Sequence, residues 1–160
     1  MEGVKVSMHA PKFLRIGFLC LLSLVISSQV FAQEEEIQKR RLLMESNSDA
    51  ATKAIKQAVA AKDYPNIELK AKEIMGNMDR LLDLFPKGSI SEKSRAKPEI
   101  WERWDEFSKE PDKVRKAAQE LADAAKAQDE EKIKDSFKAL GQGCASCHKS
   151  FRAEKKKSGG

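Results

Sequence analysis

One short stretch of this chain combines residue types and spacing that define a specific chemistry: Cys144-Ala-Ser-Cys147-His148. Thiols three residues apart fall on the same side of a helix, one above the other. Such a pair can reach two vinyl groups along one edge of a porphyrin, and the next residue can turn its imidazole onto the iron. This spacing is the attachment signature of a c-type haem, and histidine is the normal proximal ligand of haem iron. One covalent haem c uses both thiols.

Three other chemistries draw on the same residue types. A structural zinc site needs about four ligands, and beyond residue 32 the chain has only Cys144, Cys147 and His148 to offer from the cysteines and histidines. A thioredoxin-like pair needs a βαβ context, which the residue pattern lacks. A plain disulfide suits an exported protein. Three-residue spacing inside a continuous helix is nevertheless poor disulfide geometry, and it leaves His148 without a role.

Compartment is read from the other end. Residues 1–15 carry Lys5, Lys12 and Arg15 against Glu2, then an apolar run from Ile16 to Ile26, then small residues at Val30 and Ala32. That order describes a secretory signal peptide, and the run is shorter than the ~20 residues of a membrane span. Cleavage near Gln33 removes Cys20 and His9 and leaves two cysteines for one haem. The expected organisation is a leader at 1–32, a helical domain at 33–154 and a basic tail at 155–160. Export implies a periplasmic protein with no membrane segment after cleavage.

The elements that must position the signature are helices. Beyond residue 32 the chain is rich in Ala, Lys, Glu and Leu, which are strong helix formers. Ile37, Met44, Ala51 and Ala58 recur every seven residues in a first helix from about Glu34 to Lys62, with Ile55 and Val59 widening the stripe. A second follows Pro65 to Phe85 through Ile67, Ala71, Ile74, Met78, Leu81 and Leu82, and Pro86 with Gly88 ends it. Residues 86–98 read as a polar connector. A third opens at Pro98 and runs through Ile100, Phe107, Val114 and Leu121, with a break or kink expected at Pro111. A fourth begins at Asp129 and carries Ile133, Phe137, Leu140, Cys144, Cys147 and Phe151 on one face. Four amphipathic helices without strands specify an all-α, antiparallel up-down four-helix bundle, with haem near the C-terminal helix. Gly141 and Gly143 precede the signature, and one role for them is to make room for a flat ring.

Net charge falls from +5 to +3 once the leader's charges are removed. No basic stripe interleaved with aromatics is present, so nucleic-acid binding is not indicated. Lys53, Lys56, Lys70, Lys72 and Lys155–Lys157 are surface cations that could steer acidic partners. Trp101 and Trp104, like Met75 and Met78, read as packing residues.

Arg40-Arg-Leu-Leu-Met44, Pro98-Glu-Ile-Trp101 with Phe107, and Cys144-Ala-Ser-Cys-His-Lys-Ser-Phe-Arg152 occur here in that order. In these blocks the chain resembles the class II c-type cytochromes, the cytochrome c prime group, across essentially all of 33–154. The resemblance implies thioether attachment at Cys144 and Cys147 and proximal ligation by His148. It puts Arg152 near the proximal imidazole, Arg40 near the haem edge with a propionate as partner, and Met44 opposite the other side of the iron. Arg40 and Arg152 also read as ordinary solvated charges. If Met44 ligates, Met/His ligation suits electron transfer with an unnamed redox partner protein. If it only packs, the iron stays five-coordinate and open to nitric oxide or carbon monoxide. Relatives also form antiparallel homodimers through their first two helices. No second histidine remains for acid–base work, so an enzyme is not expected.

Overall fold

The computed structural model describes residues 33–154, apart from Glu92 and the side chains of Ala51 and Thr52. The expected leader and basic tail lie outside the described residues. Four long helices form the frame. Helix α1 covers residues 33–61, α2 Tyr64–Asp79, α3 Glu110–Lys126 and α4 Glu130–Phe151. Among the described residues there is no strand beyond one isolated bridge between Ala96 and Arg152. The bundle is the expected all-α fold.

The two tight turns, α1 to α2 and α3 to α4, are built alike. Lys62 (φ 55°) and Gln128 (φ 56°) each adopt the left-handed conformation that commonly ends a helix. An aspartate succeeds each and caps the next helix: Asp63 accepts from the Asn66 N–H at 3.2 Å, and Asp129 from the Lys132 N–H at 3.1 Å. Pro65 sits in the first turn of α2, where its missing N–H costs nothing. The antiparallel connections are thus determined locally.

α2 packs on α3, α3 on α4, and α2 on the middle of α1. Ile55, Ile67, Ile74, Leu121 and Leu140 are fully buried in the shared core. α3 contributes mainly alanines, Ala117, Ala118, Ala122, Ala124 and Ala125, which let neighbouring helices come close.

Two details differ from the periodic reading. First, α1 contains a π-helical stretch, Asp49–Ile55. Such a stretch absorbs an extra residue and rotates the preceding part of the helix against the remainder. The buried positions are accordingly Ile37, Arg40, Leu43 and Ala50 before or at its start, and Ile55 and Ala58 at and beyond its end. Leu43 is buried, and Met44, half-buried, also packs against the core.

Second, Pro111 does not break a helix. It lies in the first turn of α3, and the interruptions come earlier. Glu99–Glu102 and Trp104–Phe107 are separate single turns divided at Arg103. Those turns carry an aromatic cluster centred on Phe107, with ring centroids 4.8 Å from Phe85, 5.2 Å from Phe151 and 5.6 Å from Trp104. Trp101 donates its indole N–H to the Phe85 carbonyl at 3.2 Å and packs against the core, while Trp104 lies against Phe107 with its outer side exposed. Met78 is buried and Met75 packs against the core, as expected.

Candidate haem site

The last turns of α4 bring Cys144, Cys147 and His148 to one side of the bundle, all half-buried. The two thiols are free. Burial pushes the Cys147 thiol up to about 11, with Glu110 adding to the effect, and burial also raises Cys144. Neither is a thiolate at neutral pH, so neither has the character of a redox-active cysteine. Burial pulls the His148 imidazole below its ordinary value, and Arg152 and Arg95 pull it further. A neutral imidazole has a lone pair to give. Among the described residues no cluster of three or more His, Cys, Asp or Glu gathers.

Opposite α4 stands the first half of α1. Met44, Cys147, His148 and Arg152 together line two cavities, of about 230 Å³ and 280 Å³. The smaller one continues to Arg40, Phe85, Ile100, Phe107 and Phe151, and the larger one to Ile74, Met78, Leu81, Val114 and Glu110. The side chains of Met44 and His148, a hundred residues apart, therefore meet across shared space.

Arg40 is 4% exposed, and its guanidinium is gripped by the connector. It donates to the Ser89 hydroxyl at 2.8 Å, the Ser89 carbonyl at 2.6 Å and the Ser94 hydroxyl, and lies 4.7 Å over the Phe85 ring. None of its partners among the described residues is a carboxylate. A buried cation without an anion is costly, and burial accordingly opposes its charge. The solvated-charge reading of Arg40 is thereby set aside: this side chain is a buried cation on the cavity wall.

Arg152 remains exposed, beside His148 at the end of α4. Its backbone pairs with Ala96, while Arg95 donates twice to the Ala153 carbonyl and the Lys97 N–H to the Phe151 carbonyl at 3.1 Å. The connector thus clamps both Arg40 and the segment after His148. Sequence reasoning read it only as polar; the signal available was its three serines, interspersed with Ile90.

One further residue escaped that reading. Glu110 is 8% exposed and lines the larger cavity; one oxygen meets Lys113 and the other is buried without a partner. At Gly143 a Cβ would stand 3.2 Å from Val114 Cγ2, so its bareness serves the close approach of α3 to α4. At Gly141 a Cβ would meet nothing within 4 Å.

The cavity walls suit a haem on the chemistry of the donors: two thiols and a neutral imidazole from one helix, a thioether facing them, apolar walls, and an uncompensated buried cation ready for a carboxylate. A family model described as Cytochrome C' matches residues 35–152. The chain belongs to the cytochrome c' family. Cytochrome c' of Rhodospirillum rubrum is 39% identical over 85 residues, 52% of this chain but only 58% of that protein. Cytochrome c' of Pararhodospirillum photometricum is 32% identical over 122 residues, covering 74% of this chain and 97% of its relative. A solved cytochrome c' with ligand-controlled dimer dissociation superposes with a TM-score of 0.70 at 26% identity, over 76% of this chain and 97% of its own. A nitric oxide complex of a cytochrome c' variant from Alcaligenes xylosoxidans shares the fold, with a TM-score of 0.69 at 21% identity, over 77% of this chain and 97% of its own. As a cytochrome c', the chain is a haem protein of the covalent, c-type kind.

Proposed function

We propose that this cytochrome c' is a periplasmic electron carrier holding one haem c, with His148 and Met44 as its two axial ligands. The observation that carries the reading is that Met44 and His148 line the same two cavities. Cys144 and Cys147 would form the thioether bonds, and Arg40 would face a propionate. The haem supplies a one-electron iron couple. The chain's own part is to present a neutral imidazole from α4 and a thioether sulfur from α1, to exclude water with Phe85, Phe107 and Phe151, and to place a positive charge at one edge. Ligands held by a packed bundle change geometry little between oxidation states, which favours fast electron transfer. Residues 1–32 would serve as the export signal, and no residue is assigned a catalytic role. Exposed Leu42 on α1 and Leu69 on α2 would supply the apolar face of a homodimer.

A second reading draws on a specific feature. The larger cavity runs past Met44 to Ile74, Met78, Leu81 and Val114, which leaves apolar space beside the sulfur. With Met44 turned into that space the iron would be five-coordinate and open to a diatomic gas such as nitric oxide or carbon monoxide. Optical spectra of the oxidised and reduced holoprotein separate the two. The electron-carrier reading expects low-spin spectra with a weak sulfur-to-iron charge-transfer band that disappears in Met44→Ala. A high-spin reduced spectrum that shifts on adding carbon monoxide refutes it in favour of gas binding.

A further inference from the structure

Residues 33–154 contain 24 Lys and Arg against 24 Asp and Glu, so the described bundle is neutral as a whole. Its charges are not evenly spread. A surface groove of about 820 Å³ runs along α4 past exposed Gly141 and Ala145 to Cys144 and His148. Lys134, Lys138 and Lys149 from α4, Arg152 just beyond its end, Lys56 from α1 and Lys97 from the connector rim it, with Arg95 behind them. Glu154 is the one acid in that lining.

No ion pair among the described residues uses any of these cations. Elsewhere, lysines are neutralised within their own helices: Lys53 pairs with Asp49, Lys70 with Glu73 and Lys72 with Glu68. Of the lysines on α1 and α2 that sequence alone suggested as steering charges, only Lys56 belongs to the groove. Concentrating cations without ion-pair partners in one concave strip of a bundle whose described residues sum to zero charge gives that strip a strong local positive field. Such a field orients an oppositely charged partner before contact.

We propose that this groove is the docking surface for an acidic face of the redox partner protein, which seats a convex, carboxylate-bearing protrusion between the α4 lysines and the connector. The inference rests on the electron-carrier reading, because the floor of the groove is Cys144 and His148. A complementary protrusion seated there approaches the redox centre closely, whereas a flat lipid surface would touch only the rim.

The test compares oxidised holoprotein with two charge-matched triple variants. One reverses the groove (Lys134→Glu, Lys138→Glu, Lys149→Glu) and the other reverses distant exposed lysines (Lys87→Glu, Lys116→Glu, Lys126→Glu). The probe is a poly-glutamate peptide, titrated by NMR at low and at 0.3 M salt. A second readout is the rate at which ferricyanide, a trianion, takes one electron from the reduced protein. The groove variant should lose at least tenfold in peptide affinity and ferricyanide rate at low salt, and the control less than threefold. High salt should abolish the difference. Equal losses in both variants, or none in either, overturn the proposal. Groove-dependent binding of phosphatidylglycerol vesicles with no peptide binding overturns it in favour of lipid. The electron-carrier reading is judged separately by the Met44 spectra, so a gas-binding spectrum with intact peptide docking sinks that reading and leaves the docking groove standing.

Discussion

Arg40→Met is the substitution whose outcome the structure constrains most tightly. The guanidinium makes three close hydrogen bonds to Ser89 and Ser94 and a longer one, 3.4 Å, to the Leu84 carbonyl. Methionine keeps the length of the side chain and its packing on Phe85 but removes every donor. Ser89 is fully buried, so its carbonyl and hydroxyl lose partners that water cannot replace. An orphaned buried polar group costs about 1–3 kcal/mol, and two of them with a lost cation–π contact of about 1 kcal/mol give roughly 3–7 kcal/mol. Methionine no longer needs the desolvation that arginine does, which returns several kcal/mol. The net expectation, after that offset, is about 3 kcal/mol, set mainly by the two orphaned groups of Ser89. At about 4 °C per kcal/mol for a domain of this size, Tm falls by roughly 12 °C. The assay is thermal and urea unfolding of the holoprotein. Arg40→Lys, which keeps the charge but cannot fork between Ser89 and Ser94, should lose about half as much. A Tm for Arg40→Met within 2 °C of the parent protein would refute the reasoning and make the guanidinium network energetically idle.

Other substitutions probe the same packing and caps. Phe107→Ala removes the centre of the aromatic cluster and should cost about 3–5 kcal/mol in urea unfolding. Asp129→Ala removes the α4 cap and should cost about 1 kcal/mol, read as a lower Tm with an unchanged haem spectrum. At Gly143, alanine gains about 1 kcal/mol of helix propensity but crowds Val114. A double-mutant cycle of Gly143→Ala with Val114→Ala should therefore show coupling of about 0.5–1 kcal/mol, and simple additivity would contradict the contact. Glu130 accepts from Lys62 at 2.6 Å and from the Tyr64 hydroxyl at 3.2 Å, and these bonds hold its carboxyl below the ordinary value of 4.5. Because the folded value is depressed, its contribution is present above 4.5 and disappears as pH falls through the folded value. Tm of Glu130→Gln should thus lie below that of the parent at pH 7 and converge with it in acid.

Much of this protein is written locally. Cys144, Cys147 and His148 announce their chemistry because thioether attachment demands thiols at fixed spacing beside an imidazole. The caps Asp63 and Asp129 mark helix starts because only short polar side chains satisfy the free N–H groups there. Pro65 and Pro111 belong to first turns for a related reason, although in sequence Pro111 resembled a break. What periodicity could not reach was anything that depends on a neighbour. The π stretch in α1, which α2 packs against, shifts the helical phase between buried Ala50 and buried Ile55, a change no seven-residue repeat carries. Arg40 looked like one of three adjacent surface cations until the connector folded over it. Gly143 is bare because α3 passes within reach of it, a distance no one-dimensional pattern carries. Helix identity and the attachment chemistry were legible from the residues themselves because short-range hydrogen bonding and covalent spacing set them. The cavity, its buried cation and the cationic groove exist only once distant segments are held together, since burial and electric field are properties of the assembled surface.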